Sequence, residues 1–234
     1  MDFTPRLEAM RESHAQLHTL LEDRTVLACF GNRSTLSFLL CNPHQPELVG
    51  GATTEREGLA LVERHRPTLL IISDRLEQGC GIQLAISTKE RHPDSLVLLL
   101  LADVRRRSLL RRAVAAGCDG MCLEKRMGLG TMADAIRALV GGGLYIDREL
   151  RVLLRESHRG AGPELLDRPT ARELEVLELM VKGYTNPEIA QTLVVSEQTI
   201  KTHISNLLLK LQARNRAHAV ALGLCRDLVN WPNP

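Results

Sequence analysis

Residues 185–211 read TNPEIAQTLVVSEQTIKTHISNLLLKL, and this stretch decides how the C-terminal part of the chain folds. Asn186 precedes a first-turn proline, and Ser196 has the chemistry to cap a second helix. At about 100° per residue, that second helix separates an apolar from a polar sector. The apolar sector holds Ile200, Ile204, Leu207, Leu208 and Leu211, and the polar sector holds Gln198, Lys201, Thr202 and Ser205. Two short helices joined by residues 193–195 predict a helix-turn-helix.

A longer segment around this motif resembles a known family. The stretch TARELEVLELMVKGYTNPEIAQTLVVSEQTIKTHISNLLLKL begins with the capping-box spacing of Thr170 and Glu173, and NRAHAV follows it. It is similar to the LuxR/NarL-type DNA-binding domain, without a gap, from residue 168 to about 224. The resemblance implies a small all-α domain of four helices, whose third helix enters the major groove of double-stranded DNA. It also implies that Lys201, Thr202 and Ser205 read bases and that Thr199 and Lys210 contact phosphates.

The chemistry of these residues agrees with the resemblance. Lys201 can donate to guanine O6 or N7, and Thr202 can meet a thymine methyl or a base edge. The three backbone N–H groups after Ser196 begin a helix and favour a phosphate. Leu209 departs from the pattern, because it lies on the outer side where a polar residue is expected. It is either a contact with a partner or a tolerated exposed apolar residue.

The charge of this region predicts a dimer. From Arg168 onward the chain has eight Lys and Arg residues and six Asp and Glu residues, which gives a net charge of +2. One copy should therefore bind DNA weakly, whereas two copies on a symmetric site double the phosphate contacts. The resemblance implies that the helix at residues 214–229 contributes to this homodimer.

Residues 24–145 alternate short apolar segments with helical patterns. Such alternation predicts an α/β fold, with a parallel sheet covered by helices on both faces. Five segments are the expected strands, at residues 25–30, 48–52, 69–72, 96–101 and 121–123. Their continuous apolar character is typical of central strands in a parallel sheet.

The same region resembles the receiver domain of response regulators. RPTLLIISDRLEQGCG at residues 66–81 is similar to its third strand and the following loop. HPDSLVLLLLA at 92–102 and AAGCDGMCLEK at 115–125 are similar to the fourth and fifth strands. The resemblance implies a flavodoxin-like, doubly wound five-stranded sheet. It also implies a phosphorylation site of Mg²⁺-binding acids, an acceptor aspartate, a hydroxyl and a lysine.

This chain departs from the receiver pattern at every one of those positions. The residues there are Phe30-Gly31 or Gly31-Asn32 for the acidic pair, Ser73 for the acceptor, Leu101 for the hydroxyl and Glu124 for the lysine. Asp74 and Lys125 each lie one residue late, and successive strand residues point to opposite faces. We therefore expect a pseudo-receiver that is not phosphorylated. The alternative is a degenerate receiver still phosphorylated at Asp74.

Residues 5–22 predict an amphipathic helix. Its apolar stripe follows heptad spacing through Leu7, Met10, His14, Leu17 and Leu21. The helix either packs on its own domain or forms a dimer seam with His14 as a polar register position. The expected organisation is an N-terminal helix at 1–23, a receiver-like domain at 24–145, a linker helix and linker at 146–166, and a helix-turn-helix domain at 167–234.

Composition excludes several classes of function. With 44% hydrophobic and 25% charged residues, the 234-residue chain resembles a soluble globular protein. Its longest aliphatic run, residues 96–102, is too short to span a bilayer, and the N-terminus has no apolar signal core. We expect no membrane association, no cofactor and no metal.

The cysteines and one basic stretch leave alternatives open. Six cysteines without paired spacing indicate reduced core thiols, and a redox sensor at Cys118 or Cys122 is the alternative. The stretch RRRSLLRR at residues 105–112 is either a solvated basic face, an acidic-partner surface or an extra DNA contact.

Together these features predict a cytoplasmic, sequence-specific DNA-binding transcription regulator of the response-regulator type, acting as a homodimer. Further partners would be RNA polymerase or a regulatory protein. A rival interpretation is an interaction adaptor whose pseudo-receiver docks a partner. An enzyme using Ser73 and Asp74 as a hydrolytic pair lacks a general base and a nucleophile turn, so we expect no enzymatic activity.

Overall fold

The apolar segments of the N-terminal half pair into one parallel sheet. The computed structural model describes residues 7–41, 48–102, 107–127, 130–157, 168–226 and 228–229. The strands are Val26–Cys29 (β1), Leu48–Ala52 (β2), Leu69–Ser73 (β3), Leu96–Leu101 (β4), Gly120–Leu123 (β5) and Tyr145–Ile146 (β6). Their order is β2-β1-β3-β4-β5-β6, with every neighbouring pair parallel.

This topology confirms the predicted flavodoxin-like, doubly wound fold. The strand count needs one correction, because the sheet has six strands where five were expected. The additional strand β6 has two residues, which pair with Gly120 and Met121 of β5. A strand this short leaves no apolar pattern in the sequence.

Helices connect the strands and then continue alone to the C-terminal region. They are Leu7–Leu21 (α1), Arg33–Leu40 (α2), Glu55–His65 (α3), Gly81–Arg91 (α4), Arg107–Ala116 (α5), Thr131–Val140 (α6), Arg148–Ser157 (α7), Ala171–Val181 (α8), Asn186–Leu193 (α9), Glu197–Leu211 (α10) and Arg216–Cys225 (α11). Residues 160–163 of the predicted linker lie outside the described residues. None of the described helices has the length and apolar character needed to cross a membrane.

Alternate residues of β1 enter different cores on the two faces of the sheet. Leu27 and Cys29 pack in the cluster that includes α3 and α4. Val26 and Ala28 pack on the other face, in the cluster that includes α2 and α6. This alternation is what a two-residue side-chain period produces when both faces are covered.

The C-terminal helices join the sheet domain through α11. This helix packs against α5 and α7, and its Ala219 belongs to the same buried cluster as Leu150 of α7. Asn215 Oδ1 accepts the His218 N–H at 2.8 Å and so caps α11. Its Nδ2 donates to the Gly117 carbonyl oxygen at 2.7 Å, after α5. The helix expected to contribute to a dimer therefore packs within its own chain.

Candidate nucleic-acid interface

Helix α10 begins with a well-formed N-terminal cap. Ser196 lies in extended conformation, and its Oγ accepts the Thr199 N–H at 3.1 Å. Glu197 in the first turn complements the positive end of the helix dipole, although it also reduces attraction for a phosphate. The helix ends at Gln212, which adopts the left-handed conformation.

The predicted base-reading residues share one accessible face of α10. Lys201, Thr202 and Ser205 are all exposed, whereas Ile200 and Leu207 on the opposite side are fully buried. The Thr202 hydroxyl donates to the Gln198 carbonyl oxygen at 3.0 Å, and the side chain as a whole remains exposed. The helix packs on α8, α9 and α11. We call this exposed row of Lys201, Thr202 and Ser205 the reading stripe.

The two predicted phosphate contacts lie in different surroundings. Thr199 is half-buried in the first turn, and its hydroxyl lies 2.8 Å from the Ser196 hydroxyl. Lys210 is only 19% exposed, and its Nζ donates to Glu173 Oε2 at 3.0 Å. In the free protein, Lys210 therefore ties α10 to the start of α8. Its phosphate contact stays a prediction.

Glu173 combines three interactions in a nearly closed site. Its side chain is 4% exposed. Its Oε2 accepts the Thr170 N–H at 2.7 Å as well as Lys210 Nζ, and Thr170 Oγ1 accepts the Glu173 N–H. This is the capping box expected from the sequence. Burial raises the pKa of Glu173, but the Thr170 and Lys210 hydrogen bonds outweigh burial and lower it.

Two arginines hold the helix-turn-helix together. In the sequence analysis both were counted only as basic residues of the domain. Arg172 donates to the Leu193 carbonyl oxygen at 2.9 Å, at the end of α9. Arg216 at the start of α11 donates to Asn186 Oδ1 at 3.0 Å and to the Tyr184 carbonyl oxygen. Both contacts fix the turn geometry around α9. Sequence reasoning missed these roles because an arginine on a surface helix has the same pattern in either role.

The turn before α10 contains a strained residue. Val194 has φ 54° and ψ 49° and is 89% exposed. A β-branched residue rarely adopts this left-handed conformation, because its side chain crowds the backbone. Its N–H donates to the Gln191 carbonyl oxygen in the last turn of α9. This bond closes the turn that sets the direction of α10.

The sheet edge resembling a receiver phosphorylation site includes Ser73 and Asp74. Strand β3 ends at Ser73, so strict alternation no longer applies to the next residue. Oδ1 of the Asp74 carboxylate accepts the Ala102 N–H at 2.8 Å at the end of β4. Ser73 is 3% exposed, and its Oγ accepts the Arg75 N–H at 3.3 Å. Asp74 therefore lies at the carboxyl edge of the sheet, bonded to the end of β4, and its part in any phosphorylation stays a prediction.

The place of the receiver's acidic pair is closed. Phe30 is buried in the core, and Asn32 Oδ1 caps α2 by accepting the Thr35 N–H. The Gly31 N–H donates to the Arg75 carbonyl oxygen at 3.0 Å, and a Cβ at Gly31 would lie 2.7 Å from that oxygen. The loop after β3 thus occupies the space that an acidic side chain would need. The residues present do not fit the Mg²⁺ site of a receiver.

The lysine position of the receiver carries a carboxylate. Burial raises the pKa of Glu124, the negative charge of Asp74 raises it further, and Arg75 opposes both. The neighbouring Lys125 donates to Glu149 of α7 at 2.7 Å. The carboxylate of Glu124 is therefore close enough to Asp74 to feel its charge, at the position where a receiver has a lysine.

The candidate redox cysteines are buried. Cys118 is 4% exposed and Cys122 is 2% exposed. Burial raises the pKa of both thiols, that of Cys122 to about 12, which disfavours the thiolate that redox chemistry requires. These positions favour the interpretation as core thiols.

The basic stretch at residues 105–112 is only partly described. Arg112 is exposed, with its guanidinium 3.5 Å from Cys80 Sγ. The side chains of Arg105, Arg107 and Arg111 lie outside the described residues.

The N-terminal stripe is used in part within the chain. Leu21 is buried among β1 and α6 residues, Leu17 packs partly against the same cluster, and α1 contacts α6. Arg137 of α6 donates to Gln16 at 2.7 Å. The side chains of Leu7, Met10 and His14 lie outside the described residues. The described half of α1 thus packs on its own domain, and the dimer seam stays a prediction.

Comparison with known proteins agrees with this architecture. Residues 169–222 match the family described as bacterial regulatory proteins, luxR family. Response regulator protein VraR of Staphylococcus aureus is 30% identical over 197 residues, covering 84% of this chain and 93% of VraR.

Two solved structures share the fold. Response regulator RcsB of Salmonella typhimurium has a TM-score of 0.50 and 22% identity, covering 84% of this chain and 96% of RcsB. RcsB in a DNA complex also has a TM-score of 0.50, with 21% identity and coverage of 85% and 96%. By its similarity to VraR and its luxR-family match, this chain belongs to the response regulators and is a DNA-binding transcription factor of the LuxR/NarL type.

Proposed function

We propose that the chain regulates transcription as a homodimer that reads DNA through the reading stripe of α10 and acts without phosphorylation. The exposed row of Lys201, Thr202 and Ser205 carries this proposal. Short polar side chains beside one cation can approach base edges in the major groove. The proposed chemistry is recognition of DNA rather than catalysis, and the proposed location is the cytoplasm.

The charge of the helical domain supports the homodimer. Arg172, Lys210 and Arg216 all donate to groups within the domain. Fewer cations are therefore available to contact DNA than the net charge of +2 from Arg168 onward suggests. Doubling the contacts on a symmetric site compensates, because each phosphate contact adds about 0.9 to the salt slope. RNA polymerase or a regulatory protein would be a further partner at the promoter.

The closed sheet edge supports phosphorylation independence. Gly31 has no room for an acid, and Glu124 replaces the lysine that would neutralise a phosphoryl group. Asp74 lies at the same edge of the sheet, but its carboxylate accepts the Ala102 N–H, and its negative charge acts on Glu124. A second carboxylate near an acyl phosphate would repel it.

A binding experiment tests the reading stripe. A duplex selected from a random pool by the purified protein serves as the cognate site, and random duplex serves as the comparison. Lys201→Ala should lower discrimination between the two by about 1–3 kcal/mol. Lys182→Ala, an exposed lysine at the end of α8, is the matched control and should leave discrimination unchanged. Equal losses on both duplexes would make Lys201 a phosphate contact instead. Failure to select any duplex would support the adaptor.

Two further measurements test the state of the protein. Sedimentation of the complex should give two chains per selected duplex, and one chain per duplex contradicts the dimer. Incubation with acetyl phosphate and Mg²⁺ should leave the protein mass unchanged. A phosphoryl adduct that disappears in Asp74→Asn would show a working receiver.

A further inference from the structure

One apolar side chain continues the line of the reading stripe. Leu209 is 76% exposed on α10. It lies four residues after Ser205 and seven after Thr202, so at about 100° per residue it falls within about 40° of both. The rise of about 1.5 Å per residue places it about 10 Å beyond Thr202 along the helix.

Folding of the domain does not account for Leu209. Leu207 and Leu211 fill the core side of the same turns and are fully buried. Its neighbour Lys210 turns the other way and donates to Glu173. The last outward-facing turn of α10 therefore presents an aliphatic side chain where the preceding turns present polar groups.

We propose that Leu209 is an apolar DNA contact that extends the reading stripe by one turn. The major groove admits an α-helix, so a side chain on the face of the reading stripe, one turn beyond Ser205, stays beside the groove and the sugars along its edge. The carbons available there are thymine C5-methyl groups and deoxyribose, and leucine gains free energy by covering either one. The surface is continuous with the reading stripe, and this inference rests on the proposed role of that stripe.

The test compares Leu209→Gln with the wild type on the selected duplex. Glutamine keeps length and helix propensity but replaces the methyl groups by an amide, so the fold should be retained. We expect binding about three- to tenfold weaker, with an unchanged salt slope, because no phosphate contact is lost. Phe38→Gln is the matched control, since Phe38 is 77% exposed on α2 outside the helix-turn-helix. It should bind as the wild type does.

A second arm identifies the carbon that Leu209 covers. Each thymine of the selected duplex is replaced in turn by uracil, which removes only the methyl group. If the contact is a methyl, one uracil duplex weakens the wild type but not Leu209→Gln. If Leu209→Gln weakens binding, no uracil does, and the variant still sediments as two chains per duplex, the contact is deoxyribose. Loss of the second chain would instead make Leu209 a contact between protein chains and would overturn the inference.

Equal affinity of Leu209→Gln and the wild type would overturn the inference. If Lys201→Ala still lowers discrimination in that case, the reading stripe stands without Leu209. If neither variant changes binding, the proposed reading stripe itself fails.

Discussion

Lys210 should act as a structural ion-pair partner of Glu173 more than as a phosphate contact. Lys210→Met removes the ammonium that donates to a carboxylate only 4% exposed. Breaking a fully buried pair costs about 3–5 kcal/mol. Lys210 is 19% exposed and Glu173 keeps its bond from the Thr170 N–H, so we expect about 2 kcal/mol.

A double-mutant cycle isolates the pair. Glu173→Gln retains an acceptor for the capping box but loses the charge, and should also cost about 1–2 kcal/mol. The double variant should be less destabilised than the sum of the two by about 1 kcal/mol, because neither partner then remains unpaired. Glu178→Gln, an exposed acid on the same helix, should change stability little.

Amide hydrogen exchange in α8 and α10 of the full chain measures these local free energies without assuming a single unfolding transition. The pH dependence gives a second signature. Because the pKa of Glu173 is lowered in the folded state, its contribution is present above the ordinary carboxyl value of 4.5 and is lost as pH falls below it. Glu173→Gln should lack this acid-side loss.

DNA binding distinguishes the two roles of Lys210. A phosphate contact would reduce the salt slope of binding by about 0.9 in Lys210→Met, whereas a structural role leaves the slope unchanged. Unchanged hydrogen exchange together with a lower slope would refute the reasoning.

Three other outcomes follow from the described contacts. Gly31→Asp should lower the free energy of unfolding in urea by at least about 1 kcal/mol, because its Cβ would clash with the Arg75 carbonyl oxygen. The control Gly141→Ala should be tolerated, since the nearest atom to its Cβ would be the Arg137 carbonyl oxygen at 3.4 Å. A Gly31→Asp protein as stable as the wild type would show that the site is open. Val194→Asn should raise the free energy of unfolding by about 1 kcal/mol, measured by thermal denaturation, because asparagine tolerates the left-handed conformation; an unchanged midpoint would argue against strain. Iodoacetamide with peptide mapping should label exposed Cys41 in the native protein and Cys122 only after unfolding; native labelling of Cys122 would revive the redox-sensor alternative.

Local patterns in the sequence were sufficient to predict the helices and strands and to predict which face of α10 is exposed. The strands at 48–52 and 96–101 have the predicted bounds. A short apolar run bounded by turn-forming residues is typical of a buried strand, so its ends can be predicted from the sequence. The caps at Thr170 and Ser196 are also local, since each satisfies an N–H three residues away. Helical period alone separated the buried Leu207 from the exposed Thr202.

The remaining features, which are side-chain contacts and helix packing, depend on residues that are distant in the chain. The sequence shows Lys210 as a cation on a DNA-binding helix, but its partner Glu173 lies 37 residues earlier and only packing of α8 on α10 brings them together. The hydrogen bond of Asp74 could not be predicted from the sequence, because it depends on where β3 ends and on the Ala102 N–H at the end of the neighbouring strand. The burial of α11 against α5 likewise depends on the docking of two domains. Periodicity reports which face of an element is apolar, whereas only the folded chain determines what covers that face.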